Sequence, residues 1–314
     1  MIEGPTICHE PVGICPPAGP CARRLAGVVL LGGSVRPTRF HTAVGRALLD
    51  LPYRQGRTLL DEWCDQTAAL GGWISGAVPL RILSDKASNN HGAVPQESAS
   101  RIAVTFDNDP SEWRGTGGVL RDISAAYGPD DLLLVANAAQ FLLRPLVELV
   151  AELESLRADV AVLAHQDGTP TTLMLVRCGC LQALPEVGFI DMKEQAIPLL
   201  AASHDVRAVC VAHTVTLGLR TAQSYLAGLR ALHTRSPAGH GDGWRSAFAL
   251  VEDGARVDSS ARLHDAVVLR GGAVGAGAVL VRSVVCDGGI VLRKAVIVDQ
   301  LVTREGQSSA EEGP

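Results

Sequence analysis

The sequence predicts an α/β fold with a mostly parallel sheet covered by helices on both faces, followed by a short parallel β-helix of six-residue repeats. The run L-A-G-V-V-L-L at 25–31 is apolar throughout and stops at a glycine pair, as in a strand buried on both faces. Segments with strand and helix patterns then alternate as far as residue 233, which is typical of parallel α/β sheets. Beyond residue 250, aliphatic residues return about every six positions, the period of hexapeptide coils.

The alternating segments give the order of the elements. Strands are predicted at 25–31, 78–84, 101–106, 131–136, 160–164, 173–177 and 206–212. Helices are predicted at 42–51, 57–69, 117–127, 142–156, 193–203 and 221–233. Parallel neighbours need a crossover connection between them, and these helices supply it.

The six-residue period is set by five aliphatic residues, Val257, Leu263, Val268, Val274 and Leu280. In a parallel coil each of them would point inward from a short strand, with glycine or alanine at the tight corners. The alternative is a pair of valine-rich antiparallel hairpins. A coil this short would need to pack on the α/β domain or on another subunit.

Breaks in these patterns divide the chain into five segments. Residues 1–24 are rich in proline and predict a flexible leader, and 25–233 form the α/β domain. Residues 234–250 break every pattern and predict a linker, 251–302 form the repeat domain, and the polar end at 303–314 predicts a disordered tail.

Composition narrows the function. The 314 residues carry a net charge of −5 with a pI of about 6.0, so there is no basic field to attract a nucleic acid. No apolar run reaches the roughly 18 residues of a membrane span, and no signal peptide is recognisable, so we expect a cytoplasmic protein.

Cysteine and lysine are both informative. The eight cysteines are scattered, which predicts reduced thiols rather than a disulfide framework. Cys8, His9, Cys15 and Cys21 could gather a metal ion, although a proline-rich leader explains them equally well. Only Lys86, Lys193 and Lys294 are lysines, so a site that needs two of them has few candidates.

The first predicted strand ends in a glycine turn. Gly32 and Gly33 would let the backbone approach a phosphate group, and Arg36, Arg39 or Arg46 could pair with its oxygens. A tight exit from a strand would also explain both glycines.

Four segments, in this order, resemble motifs of the sugar-1-phosphate nucleotidyltransferases, also called nucleotide-sugar pyrophosphorylases. They are G-V-V-L-L-G-G-S-V-R-P at 27–37 with R-A-L-L-D-L-P at 46–52, R-G-T-G-G-V-L at 114–120, D-L-L-L-V-A-N-A-A at 131–139 and T-A-Q-S-Y-L at 221–226. In many members the last motif precedes a left-handed β-helix. The resemblance therefore implies a Rossmann-like nucleotidyltransferase domain followed by a left-handed β-helix of hexapeptide repeats.

The resemblance also implies a reaction and its residues. In that family an NTP and a sugar 1-phosphate give an NDP-sugar and pyrophosphate, with Mg²⁺ as cofactor. The implied partner is a nucleotide or sugar phosphate, and a homo-oligomer through the β-helix is plausible. The implied nucleotide-binding residues are Gly32, Gly33, Ser34, Gly115, Thr116, Gly117 and Asn137, and the implied catalytic residues are Arg36 and Arg46.

The departures from the family pattern fall on the charged positions. Ala139 stands where the first metal-binding aspartate is expected, and Gly218 matches the second. Arg46 replaces the lysine of the family's K-P pair, and no E-K-P segment is recognisable. The glycine loop lacks the family's G-T pair and is one residue short, with Val35 directly before Arg36. The sequence therefore predicts no metal site.

Two functions stay open: a nucleotidyltransferase with impaired activity, and a noncatalytic sugar-nucleotide-binding or assembly subunit. Acyl transfer by the β-helix is less favoured, because the repeats are few and His264 is the one histidine among them.

A few acids remain near predicted strand ends. Asp107 and Asp109 lie in F-D-N-D-P, and Asp191 and Glu194 lie in F-I-D-M-K-E-Q beside Lys193. They could belong to a site. Turn formation by the first two and helix capping by Asp191, with Glu194 at capping-box spacing, explain them as well.

Overall fold

The computed structural model describes residues 24–32, 38–74, 76–84, 100–235 and 247–311. It divides into two compact units, each assembled from separate parts of the chain. The first unit comprises Met1–Val35, Trp63–Ala138 and Arg144–Thr216, and the second comprises Arg36–Glu62, Ala139–Leu143 and Leu217–Pro314.

The described strands and helices are as follows. The strands are β1 Leu25–Leu31, β2 Pro52–Arg54, β3 Arg57–Thr58, β4 Val78–Ser84, β5 Ile102–Asn108, β6 Leu132–Asn137, β7 Gln140–Leu142, β8 Val160–His165, β9 Pro170–Arg177, β10 Val206–Val211, β11 Thr216–Gly218, β12 Ala249–Val251, β13 Arg256–Val257, β14 Arg262–His264, β15 Ala266–Val268, β16 Ala273–Val274, β17 Val279–Val281, β18 Val284–Val285, β19 Ile290–Val291, β20 Val296–Val298, β21 Gln300–Thr303 and β22 Gly306–Ser309. The α-helices are α1 Arg39–Val44, α2 Leu59–Ala68, α3 Ser111–Ser124, α4 Leu146–Ser155, α5 Cys178–Gln182, α6 Ile197–Ala201 and α7 Ala222–Arg235.

The first unit contains a sheet of seven strands in the order β10-β8-β9-β6-β1-β4-β5. Neighbouring strands are parallel except at β9, which runs antiparallel to both β6 and β8. The predicted α/β class with a mostly parallel sheet is therefore confirmed. Strands β1 and β4 have the predicted bounds; β1 is an apolar run buried along most of its length, whereas in β4 buried residues alternate with partly buried ones before a buried end.

Both faces of this sheet are covered. Val29 belongs to a buried cluster that includes residues of α3, α5 and α6. Val28 and Leu30 are at most 1% exposed, and alternate side chains of a strand point to opposite faces. Helix α4 packs against β8 and β9, and its buried leucines lie outside that cluster.

Several predicted helices begin or end elsewhere. Helix α1 ends at Gly45, whose backbone is left-handed and whose N–H donates to His41 O at 3.2 Å, so the predicted helix at 42–51 breaks there. The segment predicted as a helix at 142–156 contains the end of β7 and then α4, with Pro145 at the N-cap. Proline fixes φ and has no N–H, which suits the start of a helix better than its interior.

An aromatic core lies in the second unit. Tyr225 is fully buried, its ring stacks on Phe141 at 5.9 Å between centroids, and its hydroxyl donates to Pro52 O at 2.6 Å. Burial raises the pKa of this hydroxyl well above its usual value, so it stays a hydrogen-bond donor.

The rest of the second unit includes three short parallel sheets, formed by residues 249–303 and called the repeat region here. Each strand pairs with the strand one repeat later, so that Val257 lies beside Val274 and Val274 beside Val291. Val268, Val274 and Leu280 form a buried cluster, and Val257 and Leu263 pack against it. All five aliphatic residues that set the predicted period thus line one core.

Each coil of the repeat region is 17 residues long, one residue fewer than three six-residue units would give. Residues paired across the sheets, such as Leu263 and Leu280, are 17 positions apart. The missing residue falls at one corner, where Asp265, Arg282 and Asp299 adopt φ values of 50°, 46° and 54°. Across this corner the inward-pointing Leu263 and Val268 are five positions apart, whereas Val268 and Val274 are six apart.

The ends of the second unit differ from the sequence prediction. Strand β22 pairs antiparallel with β21, so residues 306–309 form a strand in the segment predicted to be a disordered tail. Strand β12 lies in the segment predicted to be a linker, of which residues 236–246 are outside the described part. The leader at 1–23, with its cysteines and His9, is also outside it. Among the described residues, no helix has the length and apolar character to cross a bilayer.

Candidate functional site

The strand order of the first unit marks one place on its sheet for ligand binding. From β1 the chain moves to β4 and β5 on one side, whereas β6 and the later strands lie on the other. Leu31 and Asn137 are partners at the carboxyl ends of β1 and β6. Open α/β sheets bind ligands outside such a switch point, so this edge is the candidate site.

Gly32 lies at this edge, but its backbone N–H already has a hydrogen-bond partner within the sheet. Its N–H donates to Leu83 O at 2.7 Å, which extends the pairing of β1 with β4 by one residue. A Cβ atom at position 32 would lie 2.7 Å from that same oxygen, so close approach of the strands requires glycine. Gly33, Ser34 and Arg36 are outside the described residues.

Asn137 ends β6 at the switch point and is half-buried. Its backbone N–H donates to Thr172 Oγ1 at 3.4 Å. The next residue, Ala138, donates its N–H to Leu31 O at 3.0 Å and accepts a hydrogen bond from Trp63 Nε1 at 2.9 Å. The backbone around Asn137 is therefore fixed by the sheet and by a buried tryptophan.

The G-T-G segment at 115–117 contacts another part of the chain. Gly115 interrupts α3 with a φ of 66°, and a Cβ atom there would overlap the backbone of Ile190. Gly117 donates its N–H to Ile190 O at 2.9 Å, and Thr116 Oγ1 accepts a hydrogen bond from Met192 N at 3.1 Å. These contacts hold residues 190–192 against the start of α3, a partner that the sequence analysis did not predict.

The remaining acids have structural roles. Asp107 pairs with Arg81, and Asp109 Oδ1 accepts a hydrogen bond from Ser111 N at 2.9 Å. Asp191 caps a π-helical turn, Met192–Ala196, where its side chain accepts hydrogen bonds from the N–H groups of Lys193 and Glu194. The turn and capping interpretations of Asp109 and Asp191 are thus confirmed, whereas the turn interpretation of Asp107 is wrong, because Asp107 lies within β5.

The side chain that completes the cap differs from the expected one. Gln195 Oε1 accepts a hydrogen bond from Asp191 N at 2.8 Å, whereas Glu194 has the capping-box spacing. The π-helical turn is wider than an α-turn, which brings the fourth residue after the cap into reach instead of the third.

In the second unit, the segments that carry the positions matched to the two metal-binding aspartates lie side by side. Strands β7 and β11 pair, and Leu219 donates its N–H to Ala139 O at 2.9 Å. Neither Ala139 nor Gly218 can offer an oxygen-bearing side chain, which is what Mg²⁺ requires. Within the described ranges, no group of three or more His, Cys, Asp or Glu side chains could hold a metal ion.

Arg46 forms an ion pair inside the second unit. Its Nη2 lies 2.7 Å from Glu252 Oε2, and both side chains are largely buried. The same carboxylate oxygen accepts a hydrogen bond from Arg270 N at 2.7 Å. This guanidinium therefore links the segment after α1 to the repeat region.

Comparisons with known proteins give a structural likeness alone. No family model and no curated protein matches the chain. Among solved structures, the crystal structure of a Mycobacterium tuberculosis Rv0371c homolog from Mycobacterium sp. strain JC1 is similar, with 19% sequence identity and a TM-score of 0.45. The alignment covers 66% of this chain and 96% of that chain.

Proposed function

We propose that this chain is a sugar-1-phosphate nucleotidyltransferase-like protein that binds a nucleotide or sugar phosphate and has lost metal-assisted turnover. The observation that carries the proposal is the pairing of β7 with β11. This pairing joins Ala139 to Leu219, the residue after Gly218, so the two segments that carry the positions matched to metal-binding aspartates lie side by side. Both lack the carboxylate.

The lost carboxylates matter because the family reaction depends on charge neutralisation. In-line displacement at the α-phosphorus is catalysed by positioning and by cations on the phosphate oxygens. The described residues do not fit Mg²⁺, and Arg46 is paired with Glu252. The proposal therefore assigns the protein no metal cofactor and places it in the cytoplasm, where nucleotide sugars are made.

Binding is assigned to the switch point of the first unit. Its support is the position of Asn137 at the carboxyl end of β6, beside the carboxyl end of β1, and the four motifs in family order. We infer further that the three parallel sheets of the repeat region are the faces of one left-handed β-helix with a 17-residue coil, as the resemblance implies.

A pair of matched asparagine variants tests the binding site. Asn137 and Asn108 both end strands of the same sheet, but Asn108 ends the edge strand β5, away from the switch point. We expect Asn137→Ala to weaken binding of a nucleoside diphosphate sugar by about tenfold or more, the effect of losing one hydrogen bond to a charged group. We expect Asn108→Ala to bind as the unchanged protein does.

Isothermal titration calorimetry against a panel of nucleotides and nucleotide sugars measures these affinities, with melting temperatures of the free proteins as a check on folding. Equal affinities for both variants would contradict the assignment to the switch point.

Assembly is a second candidate function, favoured by the last turn of the repeat region. Ile290, Leu292, Val296 and Val298 are 62%, 73%, 68% and 41% exposed. Strands β19 and β20 end their sheets, whereas β21 is covered by β22. Apolar side chains beside unpaired strand edges are typical of surfaces that join subunits.

The register of the sheets supplies a control for assembly. Val296 and Arg262 occupy the same column of one sheet, two repeats apart. We expect Val296→Glu to lower the mass measured by light scattering after gel filtration from that of an oligomer to that of a monomer. We expect Arg262→Glu to leave the mass unchanged. A monomer before any substitution would rule out this candidate.

A further inference from the structure

Strand β22 follows the repeat region and pairs with it in the opposite direction. It lies antiparallel to β21, with Ser308 beside Leu301, whereas the strands of residues 249–303 pair parallel with one another from coil to coil. Just after β22, Ala310 N–H donates to Asp299 O at 3.0 Å. β22 therefore covers the outer edge of β21, which follows β12, β15 and β18 in its sheet.

The segment that carries β22 is fastened to helix α7 beyond the strand. Gln223 N–H donates to Ala310 O at 3.1 Å, and Gln223 Nε2 donates to Glu311 Oε1 at 3.3 Å. Ala310 is 3% exposed, whereas residues 306–308 are all exposed. β22 itself therefore adds no apolar side chain to the core, and its pairing with β21 can be broken without opening the core.

The last coil of the repeat region, which β22 partly covers, has uncharged strands. β19, β20 and β21 consist of aliphatic residues, glutamine and threonine. In the first coil, by contrast, β13 and β14 carry Arg256, Arg262 and His264, and Gln55 Nε2 of the β2–β3 hairpin donates to Val251 O of β12 at 2.9 Å. Charged side chains on an edge strand oppose pairing with another chain, whereas an uncharged edge permits it. The last coil is therefore the end of the repeat region that is suited to pair with a further strand.

Two cations in the turn between β19 and β20 lean back along the repeat region. Lys294 Cγ lies 3.6 Å from the position that a Cβ atom of Gly277 would take, one coil earlier. Hydrogen bonds from Ser260 and, less strongly, the charge of Arg293 lower the pKa of Asp258 in the first coil, so the Arg293 guanidinium faces the earlier coils as well. These charges therefore do not oppose the approach of a strand to the outer edge of the last coil.

We propose that β22 is an autoinhibitory strand, which occupies the edge of β21 to which a second copy of this chain would otherwise pair. A second copy fits because this edge already accepts an antiparallel strand, and two β21 strands related by a two-fold axis are antiparallel. In a three-sided coil that axis exchanges the other two sheets, so β19 of each copy would meet β20 of the other. Because both copies use the same surface, the contact closes at two coils and does not grow into a fibre.

This inference rests on the proposal that the three sheets are faces of one β-helix. It goes beyond the assembly candidate above, which concerns the exposed apolar side chains of the last coil, whereas the autoinhibitory contact concerns the backbone edge of β21.

Two proline variants test the proposal in the full chain. Alternate residues of a strand face the same way, so Ser308 N–H faces β21 as Ala310 N–H does, whereas Gln307 N–H faces away. We expect Ser308→Pro to release β22 and to double the mass measured by light scattering after gel filtration, relative to the unchanged chain. Gln307→Pro should leave the mass unchanged, because proline there removes no hydrogen bond to β21. Loss of hydrogen-exchange protection at Leu301 N–H checks the release of β22.

A chain that ends at Arg304 is the second variant, because it lacks β22 altogether. Circular dichroism checks its fold, and its mass should double as well. Adding Thr303→Pro to this shortened chain should restore the original mass, since proline on an edge strand prevents pairing. An unchanged mass in both the shortened chain and Ser308→Pro, or a doubled mass in Gln307→Pro, would overturn the proposal. Doubling from an unchanged chain that is itself a monomer would support the proposal while ruling out the assembly candidate.

Discussion

Replacing Asp265 by alanine is expected to lower the free energy of unfolding of the second unit by about 2 to 3 kcal/mol, the effect of removing a buried acceptor bonded to a charged group. The Asp265 side chain is 3% exposed and is paired with Arg230 of α7, whose side chain is 37% exposed. Its Oδ1 also accepts a hydrogen bond from Phe248 N at 3.2 Å. Removal would leave the arginine and the amide without their buried acceptor.

Asp299 provides the control, because it occupies the same corner of the repeat two turns later. Its φ of 54° matches the 50° of Asp265, so the backbone effect of alanine is shared. Asp299 pairs with Arg282 at 2.6 Å, but both side chains are about half exposed, so the loss should be at most about 1 kcal/mol. Urea denaturation of both variants measures the difference. Similar losses of unfolding free energy in the two variants would show that the contact of Asp265 with Arg230 stabilises the protein no more than the exposed contact of Asp299 with Arg282.

A second large effect is expected from Gly115→Ala, which should destabilise the first unit by about 3 kcal/mol or more, through backbone strain and overlap together. The Cβ atom would overlap the carbonyl group of Ile190 and lie 2.9 Å from its nitrogen. Neither backbone atom can move without displacing residues 190–192 from α3.

Gly45→Ala provides a milder comparison. Gly45 has φ 69° and ψ 16°, in the left-handed helical region, and nothing lies within 4 Å of its Cβ position. Alanine there should cost about 1 to 2 kcal/mol. Gly115 has φ 66° and ψ 161°, a conformation that is essentially restricted to glycine, so both its backbone and the Ile190 overlap should make the loss larger. Denaturation curves for the two variants measure the difference, and equal losses would contradict this account of Gly115.

The strands were the most predictable part of the fold. β1 could be predicted to the residue because it is a continuous buried run, β4 because its buried residues alternate with partly buried ones, and Val257, Leu263 and Val268 identified the core of the repeat region. The five-residue spacing of Leu263 and Val268 marks the shortened corner, but the left-handed backbone of Asp265 and Arg282 could not be predicted, because neither residue is glycine. The antiparallel direction of β9 has a local signal that was missed: β8 and β9 are joined by a short turn that contains Asp167 and Gly168, and strands joined so closely pair antiparallel.

The candidate site was less predictable for the same physical reason. The sequence motifs identify Gly115 and Arg46 as candidate site residues. Their contacts could not be predicted, because the partners, Ile190 and Glu252, lie far along the chain. Arg54 and Arg270, which line one small pocket in the second unit, likewise belong to separate segments that only the fold brings together.

Release of pyrophosphate tests the central claim most directly. The purified chain is incubated with each nucleoside triphosphate, a panel of sugar 1-phosphates and Mg²⁺, while binding is measured on the same preparation. The account predicts saturable binding of a nucleotide or sugar phosphate whose affinity does not depend on Mg²⁺, with no pyrophosphate above the background rate. Mg²⁺-dependent pyrophosphate release at an enzymatic rate would contradict it.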